Sequence, residues 1–441
     1  MRHDENKLVR KRTRRTAVLV ATAFIVAVGS ASGAPNDPHY AKNQWGLQKV
    51  GAEFAWQVTT GQGTLIAIVD TGIFATHEDL AGKVVGGRDF VANDDDAKDE
   101  HGHGTLVAGI AAATTANGKG IAAVAPDAQL LSARVFDSKG SSEGTTVAAG
   151  IDWAVEQARS KKMPLVLNLS FVKLPDDSNP TTSEALLVEG GPVDRAIERA
   201  AAAGAAVVVA SGNDGAATTS YDSTSAGVIV VGASDKDDRR AGFTSYGAGL
   251  DIVAPGVEIA STYWSADNPT ASIYAFSEGT SLAVPFVVGA ASLLMAPCRA
   301  TNTTGNCGLS NERSIQRLKE TAKDLGTAGR DDQHGHGLLD VAAAAGVSRT
   351  RPSPSASPSA VVAAKPSPSP TPSPSPLVLP PPGEPPELLQ PAFGSVDDVK
   401  DPQPQATKGE QLHLPSAPRS IAGLLVLLVA AMHIVRKALL T

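Results

Sequence analysis

From about residue 35 to about residue 347, short runs of consecutive apolar residues alternate with longer stretches in which apolar positions recur every three or four. Thr64-Leu65-Ile66-Ala67-Ile68-Val69 is one such run, closed by Asp70. Leu130 to Val135, Leu165 to Ser170, Ala206 to Ala210 and Gly227 to Val231 are others. Apolar runs of this length that do not alternate with polar residues fit strands buried on both faces. Between them, Thr105 to Ala113, Val147 to Ala158, Val193 to Ala203 and Ser281 to Leu294 read as helices. Strand and helix in alternation predict an α/β fold: a mostly parallel central sheet with helices on both faces, in three layers. Functional residues of such sheets gather at the carboxyl ends of the strands. Asp70 and Asn213 both fall just past predicted strand ends.

The pattern changes at both ends of the chain. Lys7, Arg10, Lys11, Arg12, Arg14 and Arg15 precede an apolar run from Ala17 to Val28 and the small residues Gly29 to Ala34. That is the layout of a secretory signal peptide over residues 1–34, with an uncleaved anchor as the alternative. Arg14-Arg15 also suits a twin-arginine exporter. Residues 349–418 are rich in Ser-Pro repeats, such as Pro366-Ser367-Pro368-Ser369-Pro370, which favour an extended polyproline II chain and build no core. Ile421 to Val435 is apolar and is followed by Arg436 and Lys437. Residues 419–441 therefore read as a C-terminal transmembrane anchor whose short basic end faces the cytoplasm. Leu414-Pro415-Ser416-Ala417-Pro418 sits where a cell-wall sorting motif would lie, but lacks its Thr and Gly. The expected organisation is a domain over 35–348, a linker, and a single-pass anchor that leaves the domain outside the cell.

Composition narrows the class. Hydrophobic residues make up 42% of the 441, enough for a sizeable core, and aromatic residues only 4%. The formal net charge of −7 argues against a nucleic-acid partner. There are two cysteines, Cys298 and Cys307, separated by a polar loop. In an exported chain they form one short disulfide; otherwise they are two free thiols.

Three motifs carry chemistry. Asp70-Thr71-Gly72, Gly102-His103-Gly104-Thr105 and Gly279-Thr280-Ser281-Leu282-Ala283 occur in that order. A serine hydroxyl is too weakly acidic to attack a carbonyl unaided and needs a base. Histidine titrates near neutral pH, and a carboxylate fixes its tautomer and stabilises the imidazolium. Ser281, at the start of an apolar helix, is the candidate nucleophile, His103 the base and Asp70 the orienting acid. Asn213 follows a Val-rich strand, where its amide is placed to donate to an oxyanion. An N-cap serine, a loop histidine and a turn asparagine are the ordinary alternatives for the same residues. His101, two residues from His103, and the pair His334 and His336 raise a metal as an alternative, but no third ligand accompanies either. His334-Gly335-His336-Gly337 reads better as a structural turn.

These motifs resemble those of the subtilisin-like serine proteases (subtilases, the S8 peptidases), and within them the thermitase-like branch. The resemblance extends over about residues 36–347. It includes Gln44-Trp45-Gly46-Leu47, Asp251-Ile252-Val253-Ala254-Pro255-Gly256 and Gly337-Leu338-Leu339-Asp340. It implies peptide-bond hydrolysis through an acyl-enzyme, with Asp70, His103 and Ser281 as the triad, Asn213 in the oxyanion hole, and no catalytic cofactor. The family holds an extended substrate between two segments, a form of strand addition. By position these contain Gly140, Ser141 and Ser142, and Ser170, Phe171 and Val172. The second segment departs from the usual Leu-Gly-Gly, so cleavage specificity is expected to differ. A polar stretch, Pro175 to Glu189, looks inserted after it.

The resemblance also implies structural Ca²⁺. Asp37, Asp79 and Asn117 match its side-chain ligands, with Thr114, Lys119 and Ile121 contributing carbonyls. A second site would use Asp89, Asp94 and Asp96, although Ala92 and Lys98 replace expected ligands there. Asp37 follows the leader closely, leaving no room for the pro-domain most secreted members carry. Subtilase domain, Pro-rich linker and terminal helix together look like the mycosins of type VII secretion systems, which would make a secretion system a partner. The leading expectation is a membrane-anchored, outward-facing, monomeric serine endopeptidase acting on proteins or peptides. A non-catalytic surface-binding protein on the same scaffold is the rival. An α/β-hydrolase esterase is excluded by the triad order and by the missing second Gly after Ser281.

Overall fold

The structure is a computed structural model, and it describes residues 34–171, 187, 189–222, 225–299 and 305–349. The expected leader up to residue 33, Val172 and most of the polar stretch after it, the Pro-rich linker past residue 349 and the terminal apolar run lie outside the described residues. Among the described residues no helix is long and apolar enough to cross a membrane.

The strands are β1 (Leu65–Asp70), β2 (Val84–Asp89), β3 (Gln129–Arg134), β4 (Leu165–Leu169), β5 (Ala206–Ala210), β6 (Val228–Ser234), β7 (Ile252–Pro255), β8 (Ile259–Tyr263) and β9 (Ile273–Ser277). The helices are α1 (Tyr40–Asn43), α2 (Trp45–Val50), α3 (Ala52–Ala55), α4 (His103–Ala112), α5 (Gly144–Lys161), α6 (Pro192–Ala202), α7 (Thr280–Met295), α8 (Asn311–Thr321) and α9 (Val341–Ala345). Strands β1 to β7 form one sheet in the order β2-β3-β1-β4-β5-β6-β7. Every pairing in it is parallel. Strands β8 and β9 make a separate antiparallel hairpin. The expected three-layer α/β fold is the observed one.

The layers follow from side-chain alternation along fully buried strands. Ile66 and Ile68 of β1 join Val166, Val208 and Ile229 in a core shared with α4, α7 and α8. Leu65, Ala67 and Val69 point the other way, into a second core shared with α5 and α6. The five strands read from the apolar runs are all present, and the sheet gains two edge strands, β2 and β7. Four principal helices also match expectation to within a few residues. Helix α7 is the most enclosed: all sixteen of its residues are buried. Cys298 and Cys307 are joined in a disulfide after α7.

Connectivity reverses around β1. The chain leaves β1 to build β2 and β3 on one side, then crosses to β4 and continues through β7 on the other. A crevice forms at the carboxyl ends of strands where such a reversal occurs, and ligands of open α/β sheets bind there. Asp70 ends β1, His103 begins α4, and Ser170 follows β4, so the reversal brings these three residues toward one place.

Candidate active site

Asp70 is the last residue of β1 and only 1% exposed. Its Oδ1 accepts a 2.8 Å hydrogen bond from the Thr71 amide. The same carboxylate receives His103 Nδ1, at 2.8 Å from Oδ1 and 3.0 Å from Oδ2. With Nδ1–H committed to Asp70, Nε2 is the basic nitrogen. Burial disfavours the His103 imidazolium, but the charge and hydrogen bond of Asp70, helped by Asp99, outweigh it and raise the pKa above histidine's ordinary value. The motif glycine after His103 answers a steric need: a Cβ on Gly104 would lie 2.0 Å from the Gly72 carbonyl oxygen.

Asp99 organises the loop that presents His103. It is 1% exposed. Its Oδ1 accepts from Thr71 Oγ1 and from the amides of His101 and Gly102, and its Oδ2 from the amide and hydroxyl of Thr105, all at 2.6–2.9 Å. Four of these donors belong to the loop and first turn of α4, so the carboxylate caps that helix. Burial still pushes the Asp99 pKa up despite these donors. The sequence reading passed over Asp99. Its signal was an aspartate four residues ahead of the histidine in a Gly-rich loop.

Ser281 is the second residue of α7, with Gly279 at the N-cap, so Ser281 itself is not the cap. Gly279 has φ +142°, a conformation that favours glycine. A Cβ there would lie 3.0 Å from Ser281 Oγ and 3.5 Å from Asn213 Nδ2. The serine hydroxyl and the asparagine amide therefore flank a single point. Asn213 is held by its oxygen, which accepts from the Thr280 amide at 2.9 Å and the Thr280 hydroxyl at 2.8 Å. That grip leaves the NH₂ group turned to donate. It stands beside the N-terminus of a sixteen-residue helix, where free amides favour negative charge.

Phe171 of the second expected substrate-flanking segment packs on Phe136, which precedes the first segment, with ring centroids 5.5 Å apart. Gly140, Ser141 and Ser142 form a turn organised by Asp137, whose carboxylate accepts from the amides of Lys139 and Ser141. Ser142 Oγ donates to the Val135 carbonyl at 2.6 Å. Ser170 is buried and donates to the Ser281 carbonyl oxygen at 2.9 Å. Val172 lies outside the described residues.

The six residues expected around a cation also come together. Asp37 and Asp79 are both buried. Asp37 accepts from the amides of Ala116 and Asn117, and Asp79 from Asn117 Nδ2, the Ile121 amide and the Tyr274 hydroxyl. The Thr114 amide donates to the Asp79 carbonyl, and the Lys119 amide to Asn117 Oδ1. Burial, with Asp79's charge as a lesser contribution, pushes the Asp37 pKa up. An all-oxygen set built on two mutually repelling buried carboxylates fits a hard divalent ion. Asn117 presents its NH₂ to Asp79, and its oxygen would reach an ion only after a half-turn of the amide. Among the described residues no group of three or more His, Cys, Asp or Glu gathers as a metal site.

The second acidic run behaves otherwise. Asp89 is buried and its Oδ2 accepts from Arg134 at 2.6 Å, while Arg134 also reaches Glu100 at 2.7 Å. A guanidinium thus supplies the positive charge at Asp89. Asp94 pairs with Asp89 through backbone bonds and caps the Asp96 amide. The expectation of a cation at Asp89, Asp94 and Asp96 is accordingly replaced by an arginine-centred ion network. His334 lies in a turn closed by paired backbone bonds between Asp331 and Gly335, and His336, just past it, donates its amide to the Asp251 carbonyl.

Comparison with known proteins gives the family. The Subtilase family (Peptidase_S8) matches residues 61–337, and the chain belongs to that family of serine peptidases. It is 41% identical to Thermitase of Thermoactinomyces vulgaris over 268 residues, covering 61% of this chain and 88% of that protein. It is 38% identical to Subtilisin Savinase of Lederbergia lenta over 301 residues, covering 68% and 97%. A solved protease from Pseudoalteromonas arctica PAMC 21717 aligns with a TM-score of 0.58 and 27% identity, covering 71% of this chain and 99% of that one.

The Asp70–His103 pair sets a measurable titration. In the Ser281→Ala protein, the His103 ring followed by NMR is expected to titrate above the ordinary histidine value of about 6.5. Asp70→Asn added to it should move that pKa down, because burial then acts against the imidazolium with its main opponent removed. An unmoved pKa would show that Asp70 is not what holds the imidazolium.

Proposed function

We propose that this subtilase hydrolyses internal peptide bonds of proteins or peptides, with Ser281 as nucleophile, His103 as general base and acid, and Asp70 as the group that orients His103. The observation that carries this reading is the His103–Asp70 hydrogen bond at the mouth of β1, with Ser281 and Asn213 placed around Gly279. His103 Nε2 takes the Ser281 proton as Oγ attacks the scissile carbonyl. The oxyanion that forms is met by Asn213 Nδ2 and by the Ser281 amide in the first turn of α7. His103 then returns the proton to the leaving amine, and water releases the acyl group by the same steps reversed. The substrate lies extended between Gly140-Ser141-Ser142 and Ser170-Phe171, paired through its backbone. Phe171 is folded against Phe136, and Phe171-Val172-Lys173 in place of the usual Leu-Gly-Gly supports a primary specificity pocket unlike that of relatives with that sequence.

A structural Ca²⁺ is part of the proposal. Asp37, Asp79 and Asn117, with Thr114, Lys119 and Ile121, would hold it. The ion would supply positive charge between the two buried carboxylates and pin the loop after α4 to the N-terminal segment. No step of hydrolysis passes through it.

The basic-then-apolar N-terminus, the Ser-Pro linker and the apolar segment ending in Arg436 and Lys437 support export and a single-pass anchor in the cell membrane, with the peptidase domain outside and monomeric. The same layout supports a mycosin-like role beside a secretion system.

Two measurements test these readings. The purified chain should cleave an internal bond of a chromogenic peptide or casein, and Ser281→Ala should not. Asn213→Ala should lower kcat by about 10²–10³ with KM little changed. Cleavage surviving in Ser281→Ala would contradict the assignment. Chelation should lower the melting temperature by roughly 5–10 °C at saturating Ca²⁺, the size expected when ligand is near a hundred times its Kd. Asp79→Asn should no longer respond. Equal melting with and without chelator in the parent protein would remove calcium from the account.

A further inference from the structure

Helix α7 contains a proline, Pro285, four residues after Ser281. A residue at that position normally donates its amide to the carbonyl four residues back, here Ser281 C=O. Proline has no amide hydrogen, and its ring also crowds that carbonyl. The Ser281 carbonyl is therefore an acceptor that the helix itself cannot satisfy. It is buried, and a buried unsatisfied carbonyl is costly.

The missing donor comes from outside the helix. Ser170 Oγ donates to Ser281 O at 2.9 Å. A carbonyl can only accept, so the hydroxyl must donate, and a third residue occupies its other side. Asn168 Nδ2 donates to Ser170 Oγ at 2.9 Å, which uses the acceptor side of the hydroxyl. The single hydroxyl proton is left for Ser281 O. Asn168 is completely buried and Ser170 is 1% exposed. Among the described residues Asn168 Oδ1 finds no hydrogen-bond partner, so this amide sits in the core for its N–H. The two polar residues also interrupt the pattern of β4. Val166 lies in the core on the α7 side, and Asn168 and Ser170 follow at the same two-residue period. Aliphatic side chains are what that face would otherwise present.

We infer that Ser170 is a positioning residue for the nucleophile: it replaces the hydrogen bond that Pro285 deletes, and so locks the Ser281 peptide to the strand that lines the substrate. This rests on the reading of Ser281 as nucleophile. Ser170 adjoins Phe171, the described end of the substrate-flanking segment, so one bond fixes the attacking hydroxyl relative to the place where substrate lies. Alignment of this kind acts on the chemical step more than on binding.

The pairing predicts a specific rescue. Pro285→Ala restores a main-chain donor to Ser281 O, so it should compensate for the loss of the Ser170 hydroxyl. Full-length wild type, Ser170→Ala, Pro285→Ala and the double variant would be compared for kcat and KM on one peptide substrate, with melting temperature alongside. Ser170→Ala should lower kcat about tenfold, the rate equivalent of one ordinary hydrogen bond, with KM changed less. The double variant should return to within a small factor of Pro285→Ala alone. Three results would overturn the inference: wild-type kcat in Ser170→Ala, an effect on KM alone, or a double variant as slow as Ser170→Ala. If Ser170→Ala does not fold, a folded and active double variant supports the pairing, and a double variant that also fails overturns it. Wild-type activity abolished by Ser281→Ala keeps the nucleophile reading standing under any of these outcomes. An inactive wild type would sink both.

Discussion

Burial of helix α7 is the constraint on which the site depends. Its sixteen residues are enclosed between the sheet and its neighbours, so its position is set by the core it shares with α4 and α8 and not by the loop that leads into it. An amphipathic surface helix could slide or fray; a helix buried on every side has one position. The first turn of such a helix is a rigid mount for a hydroxyl, and Gly279, with φ +142°, lets the chain enter that turn without a side chain between Ser281 and Asn213. The drawback is a polar start to an apolar rod. Each amide and carbonyl of that turn that the helix leaves unpaired needs a partner, and the partners are the functional groups of the site: Asn213 on Thr280, Ser170 on Ser281, and on the proposed reading the substrate oxyanion on the Ser281 amide.

The acid–base half is built on the same plan from the other side of the reversal in the sheet. Asp70 closes β1 and His103 opens α4. Between them, Asp99 gathers five donors from Thr71, the His101–Gly102 amides and Thr105. Asp70 acts on the charge state of His103, and Asp99 acts chiefly on where its backbone lies. Two buried carboxylates near one imidazole raise its pKa together, yet only Asp70 touches the ring.

Much of this was legible in the sequence because its physics is local or ordered along the chain. Five consecutive apolar runs are the five central strands, since a strand buried on both faces has no polar positions to blur it. The acid, base and nucleophile could be named from three short motifs because their chain order is itself diagnostic. Edge elements were less visible. Strand β2 contains Gly86, Gly87 and Arg88 and is half exposed, so it carries neither an apolar run nor clean alternation. The hairpin of β8 and β9 is rich in Ser, Thr and Tyr and declares itself only through its pairing. Asp99 and Arg134 were passed over for a different reason. A buried charge looks like a surface charge in sequence, and only the donors around Asp99, or the carboxylates around Arg134, reveal what it does. The same blindness made Asp89, Asp94 and Asp96 read as a cation site when a guanidinium from β3 already supplied the charge.

The account stands or falls on whether Ser281 is an activated hydroxyl. The most direct measurement is reaction of the purified protein with a fluorophosphonate, followed by intact mass and peptide mapping. The account predicts one adduct per chain, on Ser281, formed faster as pH rises through the titration of His103. A folded protein that forms no adduct, or forms it on another residue, would contradict it.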